Sequence, residues 1–248
     1  MQAAEVDSAG ERAYAPLPEE GRVYRDRQLV GPGDATADGR AHLDAIVRWV
    51  QDVAYADVAD IGLSEAGAWV VRRSDFLVRR VPQFGERLEL ATFCSAVGAS
   101  IAERRTSVSG NHGAEVEAAV MWVYIDAEER TPTSFSDEFV SIYAPSADGR
   151  RARSRLRHPR PPAHATETDW HFGASEVDLA DHVNNVAFVR TVADLLLGTS
   201  ASDGMALEAE YRRPAPAGPA RVLSQDDRIW VVDDERKPFA SLRLQAAS

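Results

Sequence analysis

Eight consecutive residues in the second half of the chain combine the side chains that acyl-transfer chemistry needs. They run Asp-Leu-Ala-Asp-His-Val-Asn-Asn over 178–185, directly before an apolar stretch with helical spacing. Asp178 can activate a water molecule or attack a carbonyl carbon itself, and His182 can orient or relay a proton. The segment therefore predicts a catalytic pair of one carboxylate and one imidazole.

The start of the helix that follows adds a second feature. The first turn of a helix has N–H groups without intrahelical partners and carries the positive end of the helix dipole. Such groups stabilise an oxygen that becomes negative during acyl transfer. We therefore predict that Val183, Asn184 and Asn185 bind the substrate or its oxyanion. The alternative is structural: Asp181 caps the helix, and the two Asn residues lie on its polar face.

Other reactive side chains are less suited to catalysis. Cys94 lies in an apolar segment without a nearby His or basic residue in sequence, so we interpret it as a core residue. Asp34, Asp38 and His42 precede an earlier helical pattern and raise the question of a symmetric second site. Their segment lacks the paired Asn residues, so we assign them a structural role.

Metal and nucleotide sites have no sequence support. The histidines lack the paired short spacings of a zinc site, and one cysteine cannot complete a cluster. The chain has neither a GxGxxG pattern nor a P-loop. We therefore predict no metal and no cofactor. The histidines concerned are His112, His158, His164 and His171.

Two amphipathic helices and two sets of strands must position these residues. Each helix is predicted from apolar residues at three-and-four spacing, and the second ends at Gly198. The stripes are Leu43, Ile46, Val47, Val50, Ala54 and Val58, then Val183, Val186, Ala187, Val192 and Leu196. Strand-like runs bounded by turn residues cover 68–78, 88–94, 100–109 and 115–125, then 205–211, 220–224, 229–232 and 239–244.

The two halves thus repeat one pattern of a helix followed by four strands. We predict an α+β fold of two tandem repeats, each a long central helix wrapped by an antiparallel sheet, which pair as a pseudo-dimer so that an open sheet edge is removed. Two unrelated α+β domains are the alternative. The predicted boundaries are a flexible N-terminus (1–20), an N-terminal unit (21–148), an Arg/Pro-rich linker (149–165) and a shorter, catalytic C-terminal unit (166–248).

Four arginines recur at every second position of the linker. An extended chain presents alternate residues on one side, so Arg151, Arg153, Arg155 and Arg157 are predicted to form a basic row. On a chain of net charge -11, such a row can steer and dock an acidic carrier protein. A solvated linker without a partner is the alternative. Nucleic acid is disfavoured by the overall charge and by the lack of aromatic residues beside the row.

Composition narrows the class of protein. One cysteine among 248 residues excludes an internal disulfide. The first twenty residues lack the basic start and apolar run of a signal peptide, and no segment approaches the roughly 18 apolar residues of a membrane span. We therefore expect a cytoplasmic protein.

The Asp178 segment, followed by Phe188, resembles the Asp-x-x-x-His-Val-Asn-Asn element of the acyl-ACP thioesterases. The likeness extends over most of the chain, and Lys237 as the one lysine among 28 basic residues points to an actinobacterial-type member. Further similar segments are Trp-Val-Val-Arg-Arg (69–73), Pro-Gln-Phe-Gly-Glu (82–86), Ala-Glu-Arg-Arg-Thr-Ser (102–107) and Trp-Val-Tyr-Ile-Asp (122–126).

This resemblance implies a double hotdog fold and the hydrolysis of fatty acyl thioesters to free fatty acid and thiol, as in fatty acid biosynthesis. The implied partner is acyl carrier protein, or CoA in its place, and the acyl chain is expected in a tunnel between helix and sheet. A homodimer is a further expectation.

The chain departs from the plant members at three positions. Ala180 replaces a proposed catalytic Asn, and Pro214 and Ala215 replace a Glu-Cys pair. Simpler hotdog thioesterases are similar in using one Asp before the helix, so we favour an Asp-centred mechanism. One alternative is a hotdog dehydratase or hydratase, which His-Val-Asn-Asn disfavours. The other is a catalytically weak acyl-carrier-binding hotdog protein, which the three replacements favour.

Overall fold

The computed structural model describes residues 14–62, 68–197 and 201–246. Most of the predicted flexible N-terminus and the predicted helix stop at Gly198 lie outside these residues. Residues 14–20 form no helix or strand, but the Arg105 guanidinium lies 4.3 Å from the centroid of the Tyr14 ring. Arg105 also donates a hydrogen bond to the carbonyl of Ala15 (3.2 Å). These contacts hold the segment against the sheet.

The described residues contain three α-helices: α1 (Leu43–Asp60), α2 (Asp137–Ala147) and α3 (Asn185–Val192), which a π-helical turn (Ala193–Leu197) continues. None of them is long and apolar enough to cross a membrane. The first predicted apolar stripe lies on α1. The second lies on α3 and its π-helical turn, except for Val183, which precedes the helix.

These stripes form the centre of the core. Ile46 and Val50 of α1 are 0% and 1% exposed, and Val186 of α3 is 8% exposed. Leu196 is only half-buried, because the wider π-helical turn follows a different spacing from the α-helix. Since α1 and α3 also contact each other, each buries its stripe against both the sheet and the other helix.

Ten strands of the described chain form one antiparallel sheet. In chain order they are β1 (Tyr24–Leu29), β2 (Ala68–Arg80), β3 (Arg87–Val97), β4 (Ile101–Gly110), β5 (Glu115–Ile125), β6 (Thr166–Phe172), β7 (Met205–Tyr211), β8 (Gly218–Gln225), β9 (Arg228–Val232) and β10 (Pro238–Ala246). Their order across the sheet is β1-β3-β4-β5-β2-β7-β10-β9-β8-β6. The second five strands mirror the first five, and the predicted tandem repeat is confirmed. β1 and β6, the two outer edge strands, are additions to the eight predicted strands.

The two repeats join through β2 and β7, which pair antiparallel. At this seam Asp75 lies opposite Glu208, and such an opposition of like charges is unfavourable by itself. Each carboxylate has a neighbouring nitrogen: Arg73 Nε lies 2.9 Å from Asp75, and His158 Nε2 lies 3.4 Å from Glu208. The seam turns two strand edges into the middle of one continuous sheet.

The linker, called here the strap (149–165), crosses the outer face of the sheet. Glu210 of β7 is 1% exposed and accepts hydrogen bonds from the backbone N–H groups of Arg157 and His158. Ala209, the residue before Glu210 on β7, faces the helices. Because successive strand residues point to opposite faces, the strap lies across the sheet from α1 and α3.

The four strap arginines are exposed. Between them Ala152 and Leu156 are half-buried, and Ser154 is exposed. The arginines therefore point away from the sheet as a basic row on its outer face. They are Arg151, Arg153, Arg155 and Arg157.

The helix α2 was not predicted from the sequence. Ser136 caps its start by accepting a hydrogen bond from the N–H of Phe139 (3.1 Å). Phe139 and Tyr143 pack against Cys94 and Ala102 in an apolar cluster separate from the main core. This helix adds a second layer to the first repeat.

A buried carboxylate joins α1 to α2. Asp57 is 0% exposed and accepts hydrogen bonds from Arg22 Nε (2.5 Å), from Arg104 and from the Tyr143 hydroxyl (3.0 Å). Burial raises the pKa of Tyr143 to about 12, so the hydroxyl keeps its proton at neutral pH. Arg104 is 6% exposed, and its charge depends on Asp57 for compensation.

We expect Asp57→Asn to lower the free energy of unfolding by about 3 kcal/mol, because it leaves the buried Arg104 charge without its partner. Urea denaturation measures the change. The matched control is Asp60→Asn, which removes an exposed partner of the same Arg22 and should cost less than about 1 kcal/mol. Equal losses in the two variants would contradict the buried network.

Candidate active site

A tight loop carries Asp178 to the start of α3. A short 3-10 turn (Ala174–Glu176) precedes it, and a β-bridge between Val177 and Val183 closes its base. Across the loop, the N–H of Asp178 donates to the carbonyl of His182 (2.9 Å). Asp181 adopts the left-handed conformation (φ 59°) that lets the chain reverse. The loop is thus fixed by its own backbone.

The carboxylate of Asp178 is exposed and held by two donors. Its Oδ1 accepts a hydrogen bond from the N–H of Ala180 (2.9 Å), and its Oδ2 accepts one from the side-chain amide of Asn184 (3.1 Å). A carboxylate has about four lone-pair positions. Positions therefore remain on both oxygens for a water molecule or a substrate.

Asn184 has a different role from the one predicted. It is the N-cap of α3, and its Oδ1 accepts a hydrogen bond from the N–H of Val186 (2.9 Å). One amide group thus fastens the helix start with its oxygen and Asp178 with its nitrogen. The alternative in which Asp181 caps the helix is wrong, since the cap lies three residues further on.

The predicted oxyanion role of Val183 requires a correction. Its N–H donates to the carbonyl of Ala215 (2.9 Å), and the N–H of Asn184 donates to the carbonyl of Glu176 (2.8 Å), so neither is available to a substrate. In contrast, the N–H groups of His182 and Asn185 form no hydrogen bond with any residue that the structure describes. Asn185 is therefore the one predicted oxyanion residue whose N–H has no protein acceptor in the described part of the chain.

The side chain of His182 forms no hydrogen bond with the Asp178 carboxylate in the described chain. It is half-buried, and within the described ranges it forms no hydrogen bond. The contact between these two residues is the backbone bond across the loop. The side chain that bonds to the Asp178 carboxylate is that of Asn184, and the catalytic pair of Asp178 and His182 stays a prediction.

A cavity of about 240 Å³ opens beside this loop, between α1 and α3. Arginines border it, and each is tied to acids: Arg48 pairs with Asp34, while Arg190 lies 2.9 Å from Asp44 and 3.3 Å from Glu176. The bond from Arg190 to Asp44 links α3 to α1. The walls comprise Arg48, Gln51, Ser175, Glu176, Val177, Asp178, Asn184, Val186, Ala187 and Arg190.

The contribution of α1 to this cavity was not predicted. Gln51 is a polar residue within the apolar stripe of α1, and this break in the pattern was the sequence feature that could have indicated a contribution of α1 to a polar cavity. What it faces depends on the contact between α1 and α3, and local sequence does not report that contact.

The corresponding loop of the first repeat has no carboxylate at the position of Asp178. In this loop the N–H of Thr36 donates to the carbonyl of Arg40 (2.8 Å), just as the N–H of Asp178 donates to the carbonyl of His182. The N–H of His42 donates to the carbonyl of Asp34 (2.7 Å), just as the N–H of Asn184 donates to the carbonyl of Glu176. Thr36 therefore stands where the second repeat has its carboxylate. This supports the structural role assigned to Asp34, Asp38 and His42.

Cys94 is placed in the core. It is 1% exposed, and burial raises the pKa of its thiol to about 11, which disfavours the nucleophilic thiolate at neutral pH. Ala215, which occupies the Cys position of the plant pattern, is 1% exposed beside the Asp178 loop. Neither position supplies a reactive thiol to the cavity.

Comparison with known proteins identifies relatives that cover most of this chain. Residues 21–143 match the family model described as the acyl-ACP thioesterase N-terminal domain. An uncharacterized protein of Mycobacterium tuberculosis (strain H37Rv) is 24% identical over 240 residues, covering 93% of this chain and 96% of that protein. The oleoyl-acyl carrier protein thioesterase 1 of Arabidopsis thaliana is 21% identical over 202 residues, covering 72% of this chain and 56% of that protein.

Solved structures share the fold. The 12:0-ACP thioesterase from Umbellularia californica superposes with a TM-score of 0.73 at 18% identity, covering 90% of this chain and 96% of that one. An acyl-ACP thioesterase from Bacteroides thetaiotaomicron gives 0.68 at 16% identity, with the same coverage. The predicted double hotdog fold is confirmed.

We expect Asn184→Ala to lower turnover of an acyl thioester by about tenfold or more, because it releases Asp178 as well as the helix cap. The cap alone should cost about 1 kcal/mol of stability. Ser136→Ala is the matched control, since Ser136 caps α2 away from the cavity. Initial rates and thermal melting are measured together. Similar turnover in two equally destabilised variants would show that Asn184 acts only as a cap.

Proposed function

Because the chain belongs to the acyl-ACP thioesterase family, and is therefore a thioester hydrolase, we propose that its substrates are fatty acyl thioesters of acyl carrier protein. The products are free fatty acid and the carrier thiol. The observation that carries the proposal is the exposed carboxylate of Asp178, held by two N–H donors at the wall of a cavity between the two repeats.

In the proposed reaction, Asp178 takes a proton from water as the water oxygen bonds to the thioester carbonyl carbon. The N–H groups of His182 and Asn185 can stabilise the resulting oxyanion. When the tetrahedral intermediate collapses, the carbon–sulfur bond breaks and the thiolate leaves with the proton that Asp178 carried. In the second route the Asp178 carboxylate attacks the carbonyl carbon, the carbon–sulfur bond breaks and the thiolate leaves. Water then hydrolyses the mixed anhydride, which releases the fatty acid, restores the Asp178 carboxylate and supplies the proton that the thiolate takes up.

The replacements relative to the plant pattern are compatible with turnover. Ala180 donates its backbone N–H to Asp178, and Asn184 supplies a side-chain amide to the same carboxylate. Ala215 accepts the Val183 N–H through its carbonyl, a role that does not depend on its side chain. These contacts favour an active hydrolase over a carrier-binding protein without turnover.

The basic row of the strap supports a carrier protein as the partner. Its four arginines are exposed on a chain of net charge -11, and an acidic carrier would be attracted to such a local patch. Because the row lies on the outer face of the sheet, its proposed contribution is to encounter and docking rather than to chemistry. Acyl-CoA has the same pantetheine arm without the acidic protein.

We expect the purified protein to release free thiol from acyl-ACP with a higher kcat/KM than from acyl-CoA or acyl-pantetheine of equal chain length. Asp178→Asn should lower turnover by about 10² to 10⁴, because the amide keeps the size of the carboxylate but cannot take up a proton. If Asp178→Asn melts like wild type and retains turnover within about threefold, Asp178 is not catalytic.

His182→Ala is the comparison variant and should be milder, since the imidazole forms no hydrogen bond with Asp178. A larger loss in His182→Ala than in Asp178→Asn would indicate a His-centred mechanism. A wild-type protein that binds acyl-ACP but releases thiol from none of the three substrates would support the carrier-binding alternative.

We expect the triple replacement of Arg153, Arg155 and Arg157 by Gln to raise KM for acyl-ACP by about tenfold and to leave KM for acyl-pantetheine unchanged. Of these two substrates, only the carrier protein is large enough to contact the row while its acyl group is bound. The effect on acyl-ACP should shrink as ionic strength rises, because salt screens exposed charges.

The matched control changes the net charge equally at the β1 edge, where three other arginines are exposed. If the control raises KM for acyl-ACP as much, total charge and not the row is responsible, and the docking proposal fails. The control residues are Arg25, Arg27 and Arg87.

A further inference from the structure

The strap is fastened to the sheet on both sides of its basic row. Before the row, the N–H of Val97 donates to the carbonyl of Arg150 (3.1 Å), and Arg150 Nε donates to the carbonyl of Ser95 (2.8 Å). After the row, the Trp230 indole donates to the carbonyl of Pro159 (2.9 Å). Since β3 belongs to the first repeat and β9 to the second, the strap crosses from one repeat to the other.

The row itself has no such support. Within the described chain, the backbone of residues 151–156 forms no hydrogen bond with another backbone group. Three of the four arginines lie in this segment, and Arg157 follows it directly. The place and direction of the row therefore depend on the contacts at the two ends of the segment.

A buried carboxylate provides the contact at the second end. Glu210 Oε1 accepts a hydrogen bond from the N–H of Arg157, and Oε2 accepts one from the N–H of His158 (3.1 Å). Arg212 Nη2 donates to the same Oε2 (3.1 Å) and to the carbonyl of His158 (2.8 Å). Glu210 is 1% exposed, and a carboxylate removed from water is unfavourable unless donors surround it. The strap and Glu210 thus stabilise each other.

We propose that Glu210 is a positioning residue for the carrier protein: it holds the backbone of the strap so that the arginine row is ordered before the carrier binds. This inference rests on the proposed function. A row that is already ordered loses less conformational entropy on binding an acidic surface than a row on a free loop. Glu210 acts through the arginines, because its own carboxylate is buried beneath the strap.

Glu210→Gln tests this role with little change in size. An amide has one acceptor oxygen and one donor nitrogen, so in either orientation at least one strap N–H meets a donor. We expect KM for dodecanoyl-ACP to rise about fivefold, with kcat and KM for dodecanoyl-pantetheine within about twofold of wild type. Trypsin should cut the bonds within residues 151–157 about threefold faster or more, because the segment opens more often.

Glu86→Gln is the matched control. Glu86 is 0% exposed and accepts hydrogen bonds from the N–H groups of His112 and Ala114 (2.9 Å each), so it also holds backbone with a buried carboxylate. It has no hydrogen bond to the strap within the described chain, and its replacement should leave KM for dodecanoyl-ACP within about twofold of wild type. An equal rise of KM in both variants, or a rise for both substrates in Glu210→Gln, would indicate general support of the fold and overturn the inference.

The triple replacement of Arg153, Arg155 and Arg157 by Gln separates this inference from the docking proposal. In that background Glu210→Gln should raise KM for dodecanoyl-ACP no further, since residues that act through one another are not additive. If the triple variant raises KM and a folded Glu210→Gln does not, or if the two effects add, this inference is wrong while docking stands. If the triple variant leaves KM unchanged, docking and this inference both fail, while thioester hydrolysis stands.

A second variant is available at the same contact. If Glu210→Gln does not fold, Arg212→Met takes its place, because it removes the donor that joins Glu210 to the carbonyl of His158. The same rise of KM for dodecanoyl-ACP and the same faster cleavage within residues 151–157 are expected. A folded Arg212→Met that matches wild type in both measurements would overturn the inference.

Discussion

The pairing of β2 with β7 is the contact on which the rest of the molecule depends. Each repeat alone would wrap a sheet around one helix and leave the edge of its β2 or β7 strand without a partner. Pairing these edges makes one ten-stranded sheet and brings α1 and α3 together on its inner face. The Asp178 loop then meets α1, and the cavity forms between elements of both repeats. Loss of the seam would remove the cavity even if each repeat kept its fold.

The two repeats share one backbone arrangement but differ in the side chains that they place on it. The backbone bonds that shape the two loops are the same, so loop geometry is set by the fold and not by the catalytic residues. The side chains differ: Thr36 occupies the place of Asp178, and Arg40 that of His182. The first repeat has the longer central helix and the added α2 layer, which Asp57 ties to α1. Structural support is thus concentrated in one half and the reactive carboxylate in the other.

The parts of the fold that depend on local periodicity could be predicted from the sequence. The stripes of α1 and α3 and the eight inner strands are of this kind. The edge strand β1 could not, because most of its residues are exposed and its sequence lacks an apolar alternation. The helix α2 had a usable signal in Ser136, followed by two acids and by Phe139 and Tyr143 at the spacing of one helical turn.

The candidate site was predictable only in part, for a similar reason. The type and position of Asp178 were visible in the sequence. Which N–H groups remain for a substrate was not, because the partner of Val183 is the carbonyl of Ala215, distant in the chain. That Gln51 borders the cavity depends on the contact between α1 and α3, which forms only when the repeats pair. Local patterns identify reactive side chains, whereas long-range contacts decide which of them are available.

The presence of Thr36 where the other loop has Asp178 has a consequence for how such a protein can change. In an assembly of two identical subunits, any substitution in this loop appears twice, so neither copy can lose its acid without the other. Joining the repeats in one polypeptide removes that coupling, and each loop can be altered by itself. One loop is then free to accumulate replacements while the other keeps the reactive group. Covalent fusion therefore permits an asymmetry that two separate but identical subunits cannot maintain.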